Sequence, residues 1–420
     1  MTFRSLLLAS AVVLTACEPN LPPPGELVKS KQDRVTAAAP DADVKTTVDA
    51  VNTFGFDVYR GIAGSDGNAA FSPSSVSTVL GMLLGGAKGE TAAGIKQALN
   101  VTLDDAAFHR AMNTLDLAVT SRGVGAKSKD GKAFKLRTNN QIFSQEGFVM
   151  EQPFIDLLGT EYGAGVALLD FEKQAEHSRV AINNWVKGNT EGLIPELLAP
   201  GTIDSSTRLA LVNTLYFNAA WSTPFKKEDT QDGDFKKLDG STARVPMMRG
   251  ADISSSHALV DGVDVLELPY DGGEVSLLVL APPVSEFASF EASLDGERLR
   301  ALKAALETET FHSVQLPKFT ARTHAQLDDV LKALGMSAAY GPADFSGIST
   351  SAPLVLGTVV HEAVVKTDEA GTEAAAATAA DIKLGAAPID EVITIDRPFI
   401  YVILDRPTGA ALFVGRITAP

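Results

Sequence analysis

Val44, Val48, Val51 and Val58 recur at helical spacing, which predicts a first amphipathic helix running to about Arg60. The stretch Phe71-Ser72-Pro73-Ser74-Ser75 then offers Ser72 as a cap and Pro73 as a first-turn residue. The helix it opens carries Val76, Leu80, Leu83 and Leu84, is apolar on most sides, and therefore belongs in the interior. Further helices are predicted at 104–121, 151–162 and 172–187, and β-rich runs at 136–143, 209–217, 263–268 and 275–280. Two strands close the chain at 399–404 and 411–417, joined by the turn residues Asp405-Arg406-Pro407-Thr408-Gly409. Helices mixed with strands that do not alternate with them argue α+β rather than a doubly wound sheet. With no internal repeat and no second linker, one large domain accounts for the 420 residues, although length alone suggests two or three.

Composition narrows the function classes. A chain with 45% hydrophobic and 21% charged residues buries a large core. The formal net charge of −16 repels phosphate backbones, so nucleic acid is excluded as a partner, and the acidity reads as solubility for an exported protein.

Only one cysteine is present, Cys17, so neither a disulfide framework nor a cysteine-ligated zinc site forms. It follows Arg4 and the apolar run from Leu6 to Leu14, the pattern of a secretory signal too short for a permanent membrane span. Leu14, Thr15, Ala16 and Cys17 resemble a lipobox, in which the cysteine thiol is diacylated and becomes the mature N-terminus. The alternative is an ordinary signal peptide with an incidental cysteine. The organisation expected is a lipoprotein signal at 1–16, a lipidated and disordered tether at 17–43 rich in proline and alanine, and a folded domain at 44–420.

Catalytic chemistry finds little support. The histidines His109, His177, His257, His312, His324 and His361 are scattered singly, and His361-Glu362 lacks the second histidine of a zinc hydrolase. No Gly-x-Ser-x-Gly elbow occurs, and no serine has a lysine three residues on. Gly85-Gly86-Ala87-Lys88-Gly89 follows a helix rather than a strand and reads as a helix terminator, not a phosphate loop. No metal and no cofactor are called for. A triad assembled from distant residues stays open as a possibility.

The most unusual stretch is Thr367-Asp368-Glu369-Ala370-Gly371-Thr372-Glu373, followed by Ala374 to Ala377, Thr378, Ala379 and Ala380. By local propensity it is an exposed alanine-rich helix or a low-complexity loop. A different reading comes from the segment after it, Ile393-Thr394-Ile395-Asp396-Arg397-Pro398-Phe399-Ile400-Tyr401-Val402-Ile403, which resembles the C-terminal signature of the serpin family. Three earlier pieces agree in order: Phe71 to Ser75, Leu211-Val212-Asn213-Thr214-Leu215-Tyr216-Phe217 with Trp221, and Leu316-Pro317-Lys318-Phe319. The resemblance runs from about Val44 to Pro420.

It implies a fold of three β-sheets and about nine helices in a single domain, with an exposed reactive loop at about 369–392. It also implies an inhibitor rather than an enzyme, for which loop insertion is the family's known mechanism. A serine endopeptidase attacks the loop, and the cleaved loop enters the main sheet as a new strand, distorting the bound protease before deacylation. The hinge is then Glu369, Gly371, Thr372, Glu373, Ala374, Ala376 and Thr378. Thr372 lies in the exposed loop before cleavage and is the first side chain to swing inward. Period two makes Thr372, Ala374, Ala376 and Thr378 the buried set, all small, while Glu373 stays in water and Gly371 permits the bend.

The family's loop spacing places the attacked bond between Gly385 and Ala386, give or take a residue or two. Gly385 with Ala386 suits elastase- or subtilisin-like enzymes, Leu384 a chymotrypsin-like one and Lys383 a trypsin-like one. Ser72, Asn213 and His361 match the polar cluster beneath the opening point, and Lys318 with Glu369 matches an ion pair near the insertion point. As plain residues, the first three are satisfied core polar groups and the pair a surface contact worth about 0 to 1 kcal/mol. No glycosaminoglycan partner is expected, because Asp104, Asp105 and Asp116 outnumber Arg110 and Arg122 in the relevant helix. The resemblance thus gives a monomeric, secreted, metastable protein in bacterial lipoprotein form, on the cell envelope or in the extracellular space, meeting membrane only through its lipid anchor. The other reading is a non-inhibitory relative used for binding, storage or chaperone-like assistance.

Overall fold

The computed structural model describes residues 21–64, 67–128, 131–351, 353–372 and 392–420. Among these, nine α-helices form: α1 Asp41–Ile62, α2 Pro73–Leu84, α3 Gly89–Ala98, α4 Asp105–Thr120, α5 Gln152–Tyr162, α6 Phe171–Asn189, α7 Phe287–Ala292, α8 Gly296–Ala304 and α9 Asp328–Ala333. The first begins three residues before Val44, with Asp41 and Asp43 in its opening turn where the helix dipole favours negative charge. The second is buried along nearly its whole length, as its all-round apolar pattern demands. Gly85 ends it, and α3, which the periodicity did not signal, starts at Gly89.

Among the described residues the main sheet has seven strands, in the order β1 (Glu26–Val28), β4 (Val166–Leu169), β3 (Lys135–Gln145), β5 (Leu209–Ala220), β13 (Gly371–Thr372), β12 (Thr358–Asp368) and β11 (Phe319–Gln326). A second path joins β14 (Val392–Thr394), β10 (Thr310–Pro317), β7 (Thr242–Val260), β8 (Val263–Pro269), β9 (Val275–Ala281), β15 (Phe399–Asp405), β16 (Ala411–Ile417) and β2 (Ala69–Phe71). Here β6 (Gln231–Lys236) pairs the first part of β7. The second and third expected sheets therefore share one long strand: β7 pairs β10 up to Ser255 and β8 from Ser256.

Alternation along β5 and β12 sorts the core. Leu215, Phe217, Ala219, Ala363 and Val365 face inward, packing with Tyr270, Leu277, Tyr401 and Phe413 of the second sheet. Lower on the same face, Leu209, Leu211 and Val359 meet α2. On the outer face Ala210, Val212 and Val360 meet Ile182, Trp185 and Val186 of α6.

One expectation fails. Residues 21–40 are not a free tether but lie along the domain. Leu27 pairs Ala167 in an edge strand, Gly25 at φ +89 turns the chain into it, and Ser30, Arg34 and Val35 bond to α4 and α5. The prolines at 22–24 do forbid helix, but they precede the strand instead of interrupting it, and an edge strand takes its order from its partner.

Candidate functional site

Between β5 and β12 runs a seam with two unlike ends. Over five positions, Thr358↔Ala210 to Glu362↔Thr214, the strands pair directly and in parallel. Beyond that, β13 stands between them: Gly371 faces Ala220 and Asp368, and Thr372 faces Ala219 and Thr367, antiparallel to both sides. The short turn before it is fixed by backbone bonds from Trp221 to the Ala370 carbonyl (3.0 Å) and from Phe225 to the Glu369 carbonyl (2.9 Å). Gly371 sits at φ +150, and a Cβ there would lie 2.1 Å from the Ala219 carbonyl oxygen, so no other residue fits this corner.

Thr372 is only 2% exposed. Its Oγ1 lies 2.6 Å from the Tyr270 hydroxyl and 3.3 Å from Thr367 Oγ1. Burial pushes the Tyr270 phenol well up, so it stays protonated. Tyr270 stacks on Trp221 with centroids 4.7 Å apart, and Trp221 Nε1 donates to the Asp368 carbonyl at 2.9 Å. The expectation that Thr372 waits in the exposed loop is thus corrected: it already occupies the sheet, because the bend comes one residue earlier and its hydroxyl finds buried partners. Glu369, expected at the start of the exposed loop, is likewise 3% exposed. The other loop positions, Glu373, Ala374, Ala376, Thr378, Lys383, Leu384, Gly385 and Ala386, lie outside the described residues, as does Cys17.

Lys318 and Glu369 do meet. Nζ is 2.9 Å from Oε2 and 3.1 Å from Oε1; the contact with Oε1 has hydrogen-bond geometry, and charge alone holds Oε2. Thr230 donates to Oε1 at 2.8 Å. Burial pushes the Glu369 carboxyl up, but Lys318, its own backbone N–H and Thr230 together hold it below the usual carboxylate range.

At the closed end the structure brings Ser72, Asn213 and His361 together. The Ser72 N–H donates to His361 Nε2 at 3.2 Å, which puts the proton on Nδ1, and Nδ1 lies 3.0 Å from Asn213 Oδ1. The Asn213 amide passes its hydrogens to Ser75 Oγ at 2.5 Å and to Asn140 Oδ1. Phe71 packs edge-on to the imidazole at 5.0 Å. Fully buried, His361 is pushed down to about 3 and stays neutral.

The Ser72 side chain is not the helix cap expected. Its hydroxyl donates to the Leu412 carbonyl at 2.8 Å, turned from the helix toward β16, and no side-chain cap bond forms. Ser75 and Asn140 were missed as members of the cluster. Ser75 stands one turn after Ser72, and Asn140 is a polar residue inside a strand, so both left a signal. Tyr270 and Thr230 left none, being 102 and 139 positions from their partners Thr372 and Glu369. In α4, Arg110 is paired with Glu161 at 2.7 Å, and just beyond the helix Arg122 is paired with Asp405 at 2.7 Å.

Comparison with known proteins gives one consistent result. The profile of the serpin (serine protease inhibitor) family matches residues 49–420. An uncharacterized serpin-like protein of Thermococcus kodakarensis is 34% identical over 90% of this chain and 86% of its own. Leukocyte elastase inhibitor A of Rattus norvegicus is 35% identical over 87% of this chain and 97% of its own. Among solved structures, a thermophilic serpin, Tengpin, in its native state superposes with a TM-score of 0.80 at 24% identity, covering 94% of this chain and 98% of that one.

Proposed function

Because the chain belongs to the serpin family, we propose that it inhibits a serine endopeptidase as a suicide substrate, trapping the acyl-enzyme by inserting its cleaved loop into the seven-stranded sheet. The protease's serine oxygen bonds to the carbonyl carbon of Gly385, the peptide bond breaks, and the amine of Ala386 leaves with a proton. The new end then travels with the protease as the loop enters between β5 and β12.

The observation that carries this reading is the seat of Gly371 and Thr372. The seam is already parted at one end by the first two residues of the strand that has to enter. The residues after Thr372 are compatible with continuing downward: Ala374, Ala376 and Thr378 share its phase and are small enough for the face lined by Phe217, Leu215 and Asn213. A bulky or charged residue there would be buried unpaired.

Gly385 and Ala386 favour an elastase- or subtilisin-like target, and the likeness to a leukocyte elastase inhibitor points to the same class. Arg4, the apolar run and Cys17 support export and lipid anchoring on the cell envelope, with the protein acting as a monomer. Incubation of the domain with elastase, subtilisin and chymotrypsin should give an SDS-resistant complex with at least one, and a released C-terminal peptide beginning at or near Ala386. Cleavage in the loop without any complex, and with an unchanged melting temperature, would overturn the mechanism in favour of a non-inhibitory binding or storage role.

A further inference from the structure

Residues 21–39 carry more specific contacts than a cover requires. At their far end the Leu21 N–H donates to Asn189 Oδ1 at 2.7 Å, and the Leu21 carbonyl accepts from Trp185 Nε1 at 2.8 Å. Trp185 and Asn189 both belong to the last turns of α6, and both are buried. The chain then runs along the free edge of β4 as β1. Ser30 Oγ donates to Asp156 of α5 at 2.6 Å, and Arg34 bonds Asn113 and Asp116 of α4 at 2.8 and 2.7 Å. Finally the Ala39 N–H donates to Thr114 at 2.8 Å, and α1 begins at Asp41.

The helices are shaped for this segment. At Gly188 of α6 a Cβ would lie 2.4 Å from Leu21 Cδ1, and at Gly159 of α5 a Cβ would lie 2.4 Å from Ser30 Cβ. Neither glycine has a positive φ, so alanine would suit both helices better but for the segment lying against them. The glycines make sense as clearance.

The two ends of the segment join parts that have to separate. α6 covers the seam, touching Val212 on one side and Val360 on the other. A strand entering there turns alternate side chains toward α6, so α6 has to lift or slide. At the other end α1 packs against α2, α8 and β16, the body on which the sheet rests. We propose that residues 21–39 are a strap that ties α6 and the β4 edge to α1, and thereby sets how readily the seam opens. This rests on the insertion reading for its purpose, though not for its test.

Gly159→Ala and Gly188→Ala, singly and together, should eject the strap while favouring the helices that carry them. Amide hydrogen exchange is the readout. The β1 amides at 26–28 should lose protection, and those of the seam at 211–215 and 359–363 should exchange about tenfold faster, while 277–280 of β9 stay unchanged. Trp185→Phe, which removes an indole N–H donated to Leu21, is the second variant and should shift the seam in the same direction. Loss of protection in β1 with an unchanged seam would overturn the proposal, leaving a passive cover, and so would β1 amides that keep their parental protection in the double variant. A parent that traps no protease would sink the inhibitor reading alone, since the exchange result still decides the strap.

Discussion

At its lower end the seam between β5 and β12 is closed by direct strand pairing over a neutral polar relay, buried throughout but for half-buried Asn140, whereas at its upper end the same strands are parted by two residues and rimmed by an ion pair that partly faces water. The lower relay involves Ser72, Ser75, Asn140, Asn213 and His361 from four separate elements, so none of its members has room to relax alone. The upper end is held by the contacts of the Thr372 hydroxyl with Tyr270 and Thr367 and by Lys318, whose side chain is 38% exposed. A polar group locked between fixed elements costs its full desolvation when a partner is lost; Thr372 and Glu369 are also buried, but they flank or belong to a two-residue strand that can swing out to water. The closed end therefore sets stability, and the parted end is where rearrangement is cheap.

The largest effect expected from breaking this contrast is at the closed end. His361→Leu leaves the Ser72 N–H and Asn213 Oδ1 buried without partners, a loss of about 3 to 5 kcal/mol read by urea or thermal unfolding. Acid does the same work reversibly. With His361 at about 3 in the fold and 6.5 when free, the unfolded chain takes up the proton first. The stability it contributes is complete above about pH 6.5 and falls by about 1.4 kcal/mol per pH unit toward pH 3. His361→Leu should lack that part of the acid slope; an unchanged slope would show that the imidazole is not the group being titrated.

A smaller effect is expected at the parted end. Thr372→Arg replaces a buried hydroxyl with a bulky cation, but β13 is only two residues long and can leave the sheet. The cost should stop at about 1 to 2 kcal/mol, that of the Tyr270 contact and a few backbone bonds. Tryptophan emission should shift to the red as Trp221 gains water. A loss as large as that of His361→Leu would mean that both ends are equally rigid. Under the insertion mechanism this variant is also cleaved without trapping.

The smallest effect is expected for Lys318→Met, about 1 kcal/mol, diminishing as salt is added, because Thr230 and a backbone N–H still serve Glu369.

The sequence made the scaffold legible where physics is local. The all-round apolar pattern after Ser72 put α2 inside, and the turn residues 405–409 paired β15 with β16. Asn213 and Lys318 stand inside quoted motifs and Glu369 in the hinge, and the structure sets Asn213 against His361 and Lys318 against Glu369, although His361 lies in none of the quoted pieces. What escaped depends on partners distant in sequence. Whether Thr372 is inside or outside the sheet depends on Tyr270, and nothing local to Gly371-Thr372 distinguishes the two. Residues 21–40 show the same limit from the other side. Their prolines say what they cannot form, while the β4 edge decides what they do form. Strand β7 escaped because it changes neighbours midway, so no single burial period runs through it.

The strand register has a mechanical consequence. Below, where the strands touch, His361 lies opposite Asn213, 148 positions away. Above, where β13 separates them, Thr367 and Ala219 lie opposite the two sides of Thr372, and they are offset by the same 148 positions. In the language of fracture, the split is pure opening with no shear: the crack has advanced partway down the seam without either lip sliding along the other. Each step of further advance breaks one matched pair and presents its two halves, still in line, to whichever residue comes next.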